Sequence, residues 1–318
     1  PLSGIVLHVP RACCETPLPK ARVARPSGAD AMSASVVRYD PPPPVPLFFL
    51  RHYVAREPAV IRIGDWSRLD WKTSRWSNEY LVRKAGNHDV RVLVRRTAGG
   101  RHDLESTDYV TMMFRDFVRD VLARPTGNDA YYLNLQHDRV LDPPLLQLLG
   151  DFTIPPYFQD VRLRCVVAWM GRSPVPIVTP LHHDFEDNLY AVVEGRKRFL
   201  LYPPSAARSL YTRGEIVAIE PHGRIVYAPG EPMPHLSRLD PETADPERFP
   251  LFGPVRPYGR EVTLAEGDLL FVPAFWFHRV VSEGEGRHIA LSFFAHSPPP
   301  EGLRYLAERL GAGQAEGN

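Results

Sequence analysis

Beyond residue 161 the chain becomes a succession of short apolar runs: "VRLRCVVAWMG", "NLYAVVEG", "RKRFLLYPP", "GRIVYAPG", "EVTLAEGDLLFVPAFWFHRVV" and "HIALSFFAH". Gly, Pro and Asp separate them, the pattern of short strands and turns that builds an all-β sandwich or barrel. Upstream, "EPAVIRIGDW" (57–66), "VRVLVRR" (90–96) and "AYYLNLQ" (130–136) also read as strands. "TDYVTMMFRDFVRDVLARP" (107–125) sets Tyr109, Met113, Phe117 and Val121 one helical face apart, behind Thr107 or Asp108 as cap, and predicts a helix. "PPPPVPLFFLRHYV" (41–54) is a proline-stiffened entry into an apolar segment. Residues 229–260 are Pro-rich without a period, a long loop of the kind that lies over a site. "PEGLRYLAERLGAG" (300–313) predicts a short amphipathic terminal helix, a candidate for pairing with a second copy as a homodimer. No repeat at the spacing of solenoids or propellers is visible.

Composition narrows this picture. The chain has 318 residues, 44% apolar and 24% charged, as in a soluble globular protein of one large or two ordinary domains. The 34 prolines favour rigid turns between short strands. A net charge of +1, with acids and bases interspersed, argues against nucleic acid and anionic membranes as partners. No apolar run approaches a membrane span, and "GIVLHVP" is too short for a signal-peptide core. Cys13 and Cys14 are adjacent and Cys165 stands alone, so neither a disulfide framework nor a Cys-based zinc site is written here. The compartment expected is reducing: cytoplasmic, with the nucleus as an addition. Residues 1–36 show no stable period and are expected to be a disordered or extra N-terminal tail. A transit peptide over 1–31, with Met32 as an internal start, is the weaker alternative. The expected division is this tail, one domain over 37–298 with a barrel core at about 130–298, and a terminal helix and tail over 299–318.

The candidate chemistry lies in "TPLHHDFEDNLY" (179–190), two histidines and three acids inside a stretch of strand formers. Side chains of a strand alternate faces, so His182 and Asp184 point one way and His183 the other. A third ligand is offered by "EGDLLFVPAFWFHRVV" (266–281), in which His278 follows a strand and an aromatic run; His222, His235, His288 and His296 compete with it. Two imidazoles and a carboxylate on one side of a metal leave the opposite positions open. That arrangement suits non-haem Fe(II) that takes O2 and a co-substrate, and differs from a closed structural zinc site. A bare His-x-Asp is more often a hydrogen-bonded pair. Here the weight comes from its combination with a following hairpin and a Gly-Asp-strand-Pro segment ending in His. Parity puts Arg196 and Arg198 opposite Lys197, as surface charges. His183 is expected to face solvent or a neighbouring strand, Glu186 and Asp187 to sit in a solvated bend, and Trp169, Trp276 and Cys165 to belong to the core.

"TPLHHDFEDNLYAVVEGRKRFLLYPP" (179–204) and "GDLLFVPAFWFH" (267–278) resemble the metal-binding segments of the JmjC-type 2-oxoglutarate oxygenases. The likeness runs from about 41 to 298 and includes "LDPETADPERFP" (239–250). It is closer to the small JmjC lysyl hydroxylases acting on developmentally regulated GTP-binding proteins. The resemblance implies a mainly β fold, a double-stranded β-helix (jelly-roll, cupin-like) with flanking α-helices. It implies Fe(II) held by His182, Asp184 and His278, and 2-oxoglutarate anchored by Lys197 with Thr179, Tyr132 and Asn188 assisting. One position departs: Ser292 stands where relatives carry Asn, and direct contact with the co-substrate there is in question, a water being able to fill the gap. The implied activity is hydroxylation of a protein, on a lysine, with release of succinate and CO2. Demethylation of N-methyl-lysine, hydroxylation of a modified tRNA and a non-catalytic metal-binding jelly-roll stand as alternatives.

Overall fold

A computed structural model describes residues 35–95, 97–98, 101–102, 108–124, 130–135, 143–172 and 175–315. They fall in one unit, Ser33–Asn318. The tail expected at 1–36 lies outside the described residues apart from its last two.

The apolar runs become strands β1 (Val37–Tyr39), β2 (Ala59–Arg62), β3 (Asp89–Arg95), β4 (Thr97–Ala98), β5 (Arg101–His102), β6 (Asp108–Met113), β7 (Ala130–Asn134), β8 (Leu163–Arg172) and β9 (Ile177–His183). They continue as β10 (Asp187–Glu194), β11 (Arg196–Tyr202), β12 (Ile216–Ile219), β13 (Ile225–Tyr227), β14 (Arg260–Ala265), β15 (Asp268–Val272), β16 (Phe277–Glu283) and β17 (His288–Ala295). Nine form a large sheet in the order β1-β2-β15-β10-β17-β8-β7-β3-β6, and four form a second, β14-β11-β16-β9. Sequence neighbours β10 and β11 lie in different sheets, as do β14 and β15, and β16 and β17. The chain therefore winds back and forth between two sheets, which is the expected double-stranded β-helix.

Strand parity decides what fills each layer. Tyr190 and Val192 of β10, Phe199 and Leu201 of β11, Leu264 of β14, Leu270 of β15 and Ala290 of β17 pack between the sheets. The alternate residues Leu189, Ala191 and Val193 of β10 and Leu291 and Phe293 of β17 face outward. There they pack with Phe48, Leu81, Phe117 and Leu145 of the flanking helical segments. Both faces of the large sheet are covered, so β10 and β17 read as unbroken apolar runs. The β10–β11 turn requires Gly195: its φ is +86°, and a Cβ there would meet the Arg287 carbonyl at 2.9 Å.

One predicted element is corrected. Residues 108–113 are an edge strand paired with β3, Val90 opposite Met112, and the helical backbone begins only at Phe114. Tyr109, Val110 and Thr111 are strand formers, and the open edge of the sheet overrides their helical spacing. From Phe114 onward the expected face is buried, with Phe117 and Val121 inside. The terminal helix spans Pro300–Ala315 and buries Leu303. No helix among the described residues is long and apolar enough to cross a membrane.

Candidate metal centre

His182 on β9 and His278 on β16 are cross-strand partners, which brings two distant segments of sequence together. Asp184 follows β9 by one residue, and its carbonyl accepts the Phe275 N–H at 2.9 Å, so the segment before β16 fixes the bend. One ligand atom from each of the three residues lies within 4.8 Å of the others. His278 Nε2 is 3.5 Å from one carboxylate oxygen of Asp184, and His182 Nε2 is 4.0 Å from the other.

The backbone sets both tautomers. His182 Nδ1 lies 2.7 Å from the Pro180 carbonyl and His278 Nδ1 3.0 Å from that of Trp276. A carbonyl only accepts, so each Nδ1 carries the proton and each Nε2 lone pair turns toward Asp184. Burial first, then the neighbouring His278, pushes His182 down to about 4; burial chiefly takes His278 down to about 4 as well. Burial raises the Asp184 carboxyl, an effect partly offset by His182. Two neutral imidazoles and a desolvated carboxylate, with no cationic side chain bonded among them, fit a divalent cation.

The same interior holds a second unusual group. Lys197 is fully buried between the sheets and has no carboxylate partner among the described residues. Its ammonium donates to the hydroxyls of Ser282, at 2.6 Å, and Tyr132, at 3.2 Å. Burial lowers it to about 7. His288, also buried, sits beside Tyr132, its Nε2 without a partner among the described residues, and is pushed well below its ordinary value by burial and by Lys197. Gly171 makes room for it, since a Cβ there would stand 2.7 Å from His288 Nε2. The Asn188 side-chain oxygen is buried without a partner among the described residues. A buried cation among hydroxyls is suited to an anion.

Not every predicted residue lies where expected. Thr179 is half-buried on β9, opposite Val280. Ser292 accepts the Trp169 indole N–H at 2.8 Å. Arg196 is exposed and Arg198 pairs with Glu242, Glu261 and Glu283, as surface charges would. His183 faces away from the metal ligands but into a second core: it is fully buried, and its Nε2 accepts the Tyr227 hydroxyl at 2.7 Å. Asp187 does not lie in a solvated bend. It is fully buried, forms a bidentate pair with Arg56 and accepts the Ala274 N–H at 2.9 Å. The loop after residue 229 does reach the site, as Leu236 bridges to His182 and brings the His235 ring within 6.5 Å of it. Cys165 is half-buried.

Sequence reading missed Ser282, and it weighed His288 only as a competing metal ligand, not as a neighbour of Lys197. Parity carried both: Ser282 is four residues beyond His278 on β16, and His288 four before Ser292 on β17, each on the interior face.

Comparison with known proteins agrees with this geometry. The family model described as a cupin-like domain matches residues 45–300. The human bifunctional peptidase and (3S)-lysyl hydroxylase JMJD7 is 32% identical over 263 residues, 77% of this chain and 79% of that protein. The human tRNA wybutosine-synthesizing protein 5 is 29% identical over 265 residues, covering 79% and 75%. Lysine-specific demethylase JMJ32 of Arabidopsis thaliana is 29% identical over 295 residues, covering 83% and 82%. With a facial set of two histidines and an aspartate inside a cupin barrel, the chain belongs to the JmjC/cupin family of iron- and 2-oxoglutarate-dependent oxygenases.

Proposed function

We propose that this protein is an Fe(II)- and 2-oxoglutarate-dependent hydroxylase of proteins, acting on a lysine side chain. The observation that carries the reading is the pairing, within one barrel, of the His182–Asp184–His278 set with a buried, uncompensated Lys197. A hydrolase or isomerase working through its metal alone has no use for such a lysine, whereas a diacid co-substrate needs a cation at its far end.

Fe(II) and 2-oxoglutarate, when bound, supply the oxidising power that places one atom of O2 on an unactivated C–H and releases succinate and CO2. The protein's part is binding, orientation and exclusion of water. His182, Asp184 and His278 would hold the iron. Lys197 pairs with the distal carboxylate, while Tyr132 and Ser282 keep its ammonium in place. Thr179 and Asn188 line the path between, and Ser292 completes the wall together with Trp169. Tyr190, Phe199 and Leu201 keep the interior dry. Phe185, 42% exposed and in ring contact with His235 and Phe275, forms an apolar rim where a substrate side chain would enter.

The similarity to a lysyl hydroxylase favours a protein substrate, and peptides from developmentally regulated GTP-binding proteins are the first set to assay. The balanced charge, +1 overall, disfavours tRNA. The test is mass spectrometry of those peptides after aerobic incubation with Fe(II) and 2-oxoglutarate. A gain of one oxygen on lysine is expected, and none with the Asp184→Ala protein. Formaldehyde release from N-methyl-lysine peptides without that gain would replace hydroxylation by demethylation. Modification of tRNA alone would replace it by the nucleic-acid activity.

A further inference from the structure

His183 is an unusual residue for a core. Alternation along β9 turns it away from His182 and Asp184, and rings enclose it. Phe277, Phe185 and Phe275 stand at centroid distances of 4.9, 5.1 and 5.4 Å, and Tyr227 stacks on it at 5.8 Å with 11° between the planes. The imidazole is fully buried. An aliphatic side chain would fill the same space without the cost of drying two ring nitrogens. Both nitrogens are bonded, however, and their partners lead to the metal centre.

Nδ1 lies 3.1 Å from the carbonyl of Asp184, the metal ligand next in sequence. A carbonyl only accepts, so Nδ1 carries the proton, and the Nε2 lone pair accepts the Tyr227 hydroxyl at 2.7 Å. The same Asp184 carbonyl takes the Phe275 N–H at 2.9 Å. Its two lone pairs are thus both used, one by the approach to β16 and His278, the other by the imidazole at the end of β9. Two such donors fix the plane of the peptide that follows Asp184, and with it the backbone from which the carboxylate projects.

Tyr227 brings in a third element. It stands on β13, which pairs with β12 in a two-stranded sheet of their own. The chain returns from that hairpin along the edge of β9: the Ser237 N–H donates to the Leu181 carbonyl at 2.9 Å, and Leu236 bridges to His182. The hairpin is anchored to the strand that carries His182 and His183, and its tyrosine hydroxyl holds the imidazole at one rotation. Groups that orient a metal ligand from outside govern how well that ligand binds.

We propose that His183 and Tyr227 are positioning residues of the metal centre. His183 clamps the Asp184 peptide and Tyr227 clamps His183, so the carboxylate is presented to the ion already oriented. This rests on the reading of His182, Asp184 and His278 as metal ligands, and its test needs neither co-substrate nor turnover. The metal-free full chain is titrated with Co(II) in the absence of oxygen, and binding is followed by visible absorption and by calorimetry.

His183→Leu fills the space and loses both bonds; Co(II) affinity is expected to fall about tenfold, with a shifted visible band. His183→Gln retains a donor and an acceptor and recovers most of that loss. Tyr227→Phe keeps the stacked ring, removes one hydroxyl and weakens Co(II) binding roughly threefold. Phe249→Leu is the control. It loosens the same core beside Tyr211, 5.0 Å away, through a side chain that makes no hydrogen bond, so melting falls while Co(II) affinity stays. His183→Leu binding Co(II) as tightly as the parent overturns the proposal; if that variant fails to fold, an unchanged Tyr227→Phe does so. Equal losses of affinity in Phe249→Leu reduce both residues to packing and also overturn it. A parent chain that takes up no Co(II) removes the metal centre itself, and the proposal with it, whereas a parent that binds and variants that match it remove the proposal alone.

Discussion

Asp184 and Asp187 sit three residues apart, on either side of the bend between β9 and β10, and the fold treats them in opposite ways. Asp187 receives the Arg56 guanidinium on both oxygens and a backbone N–H as well. Asp184 faces two neutral imidazoles at 3.5 and 4.0 Å. The contrast extends through the molecule. Asp151 accepts from Trp76 and Tyr80, and Asp268 from Arg38 and Arg62. These groups hold segments together. In the barrel interior, among the described residues, Lys197 has two hydroxyls as partners, and His288 Nε2 and Asn188 Oδ1 have none. A buried polar group that is fully satisfied is a fastener; one left unsatisfied costs stability and marks where a ligand belongs.

The contrast is tested most severely at the bend itself. Asp184→Ala should lower Fe(II)-dependent succinate formation by a factor on the order of 100 or more, while the metal-free protein melts no earlier than the parent. An early melt would make Asp184 a fastener after all. Asp187→Ala should do the reverse, leaving Arg56 buried and unpaired at a cost of about 3–5 kcal/mol in urea denaturation. Adding Arg56→Met should recover most of that loss, because the stranded charge, and not the missing bond, is the damage.

How far the sequence reaches divides along the same line. The metal ligands are legible because a strand has a period of two and the motif is local: His182 and Asp184 must share a face. The pairing of β9 with β16 then follows from barrel closure. Lys197 was reached through the resemblance to the oxygenases, and alternation adds only that Arg196 and Arg198 point the other way. Asp187 was not, because its partner Arg56 precedes β2 and nothing in "HHDFEDN" reveals a guanidinium arriving from that distance. The edge strand β6 was hidden for a related reason. Its residues fit a helical face, and only the open edge of β3 decided against it. Trp169 gave no sign that its indole would reach Ser292. Local periods can be read from sequence; long-range polar partners need the fold.

Lys197 sharpens the comparison through pH. Burial lowers it to about 7 from its ordinary 10.5, so between those values the native protein binds fewer protons than the unfolded chain. Stability of the ligand-free protein therefore rises with pH across that window, and below it the cost of burying the ammonium is felt in full. Lys197→Met should flatten the rise and stabilise the empty protein near neutrality, while abolishing 2-oxoglutarate binding. Urea denaturation at about pH 6.5 and about pH 9.5, with calorimetric titration of 2-oxoglutarate, reads both effects. A Lys197→Met protein less stable than its parent at the lower pH would show that the ammonium is adequately paired by Ser282 and Tyr132 alone.

The smallest effect belongs to a pair whose geometry is as good as any fastener's. Arg124 lies 3.0 Å from Asp120, four residues apart, with side chains 71% and 62% exposed. Arg56 lies 3.0 Å from one oxygen of Asp187, with side chains 11% and 0% exposed. If contact distance set the energy, the two pairs would rank together. In water both partners of the exposed pair are already solvated, and holding two long side chains in one geometry costs entropy, so Arg124→Ala should change stability by less than about 0.5 kcal/mol. The measurement is the same urea denaturation used for Asp187→Ala. Equal losses from the two substitutions would mean that burial is not what separates the fasteners from the rest of the ion pairs, and the reading of Asp184 and Lys197 as groups awaiting a ligand would lose its physical basis.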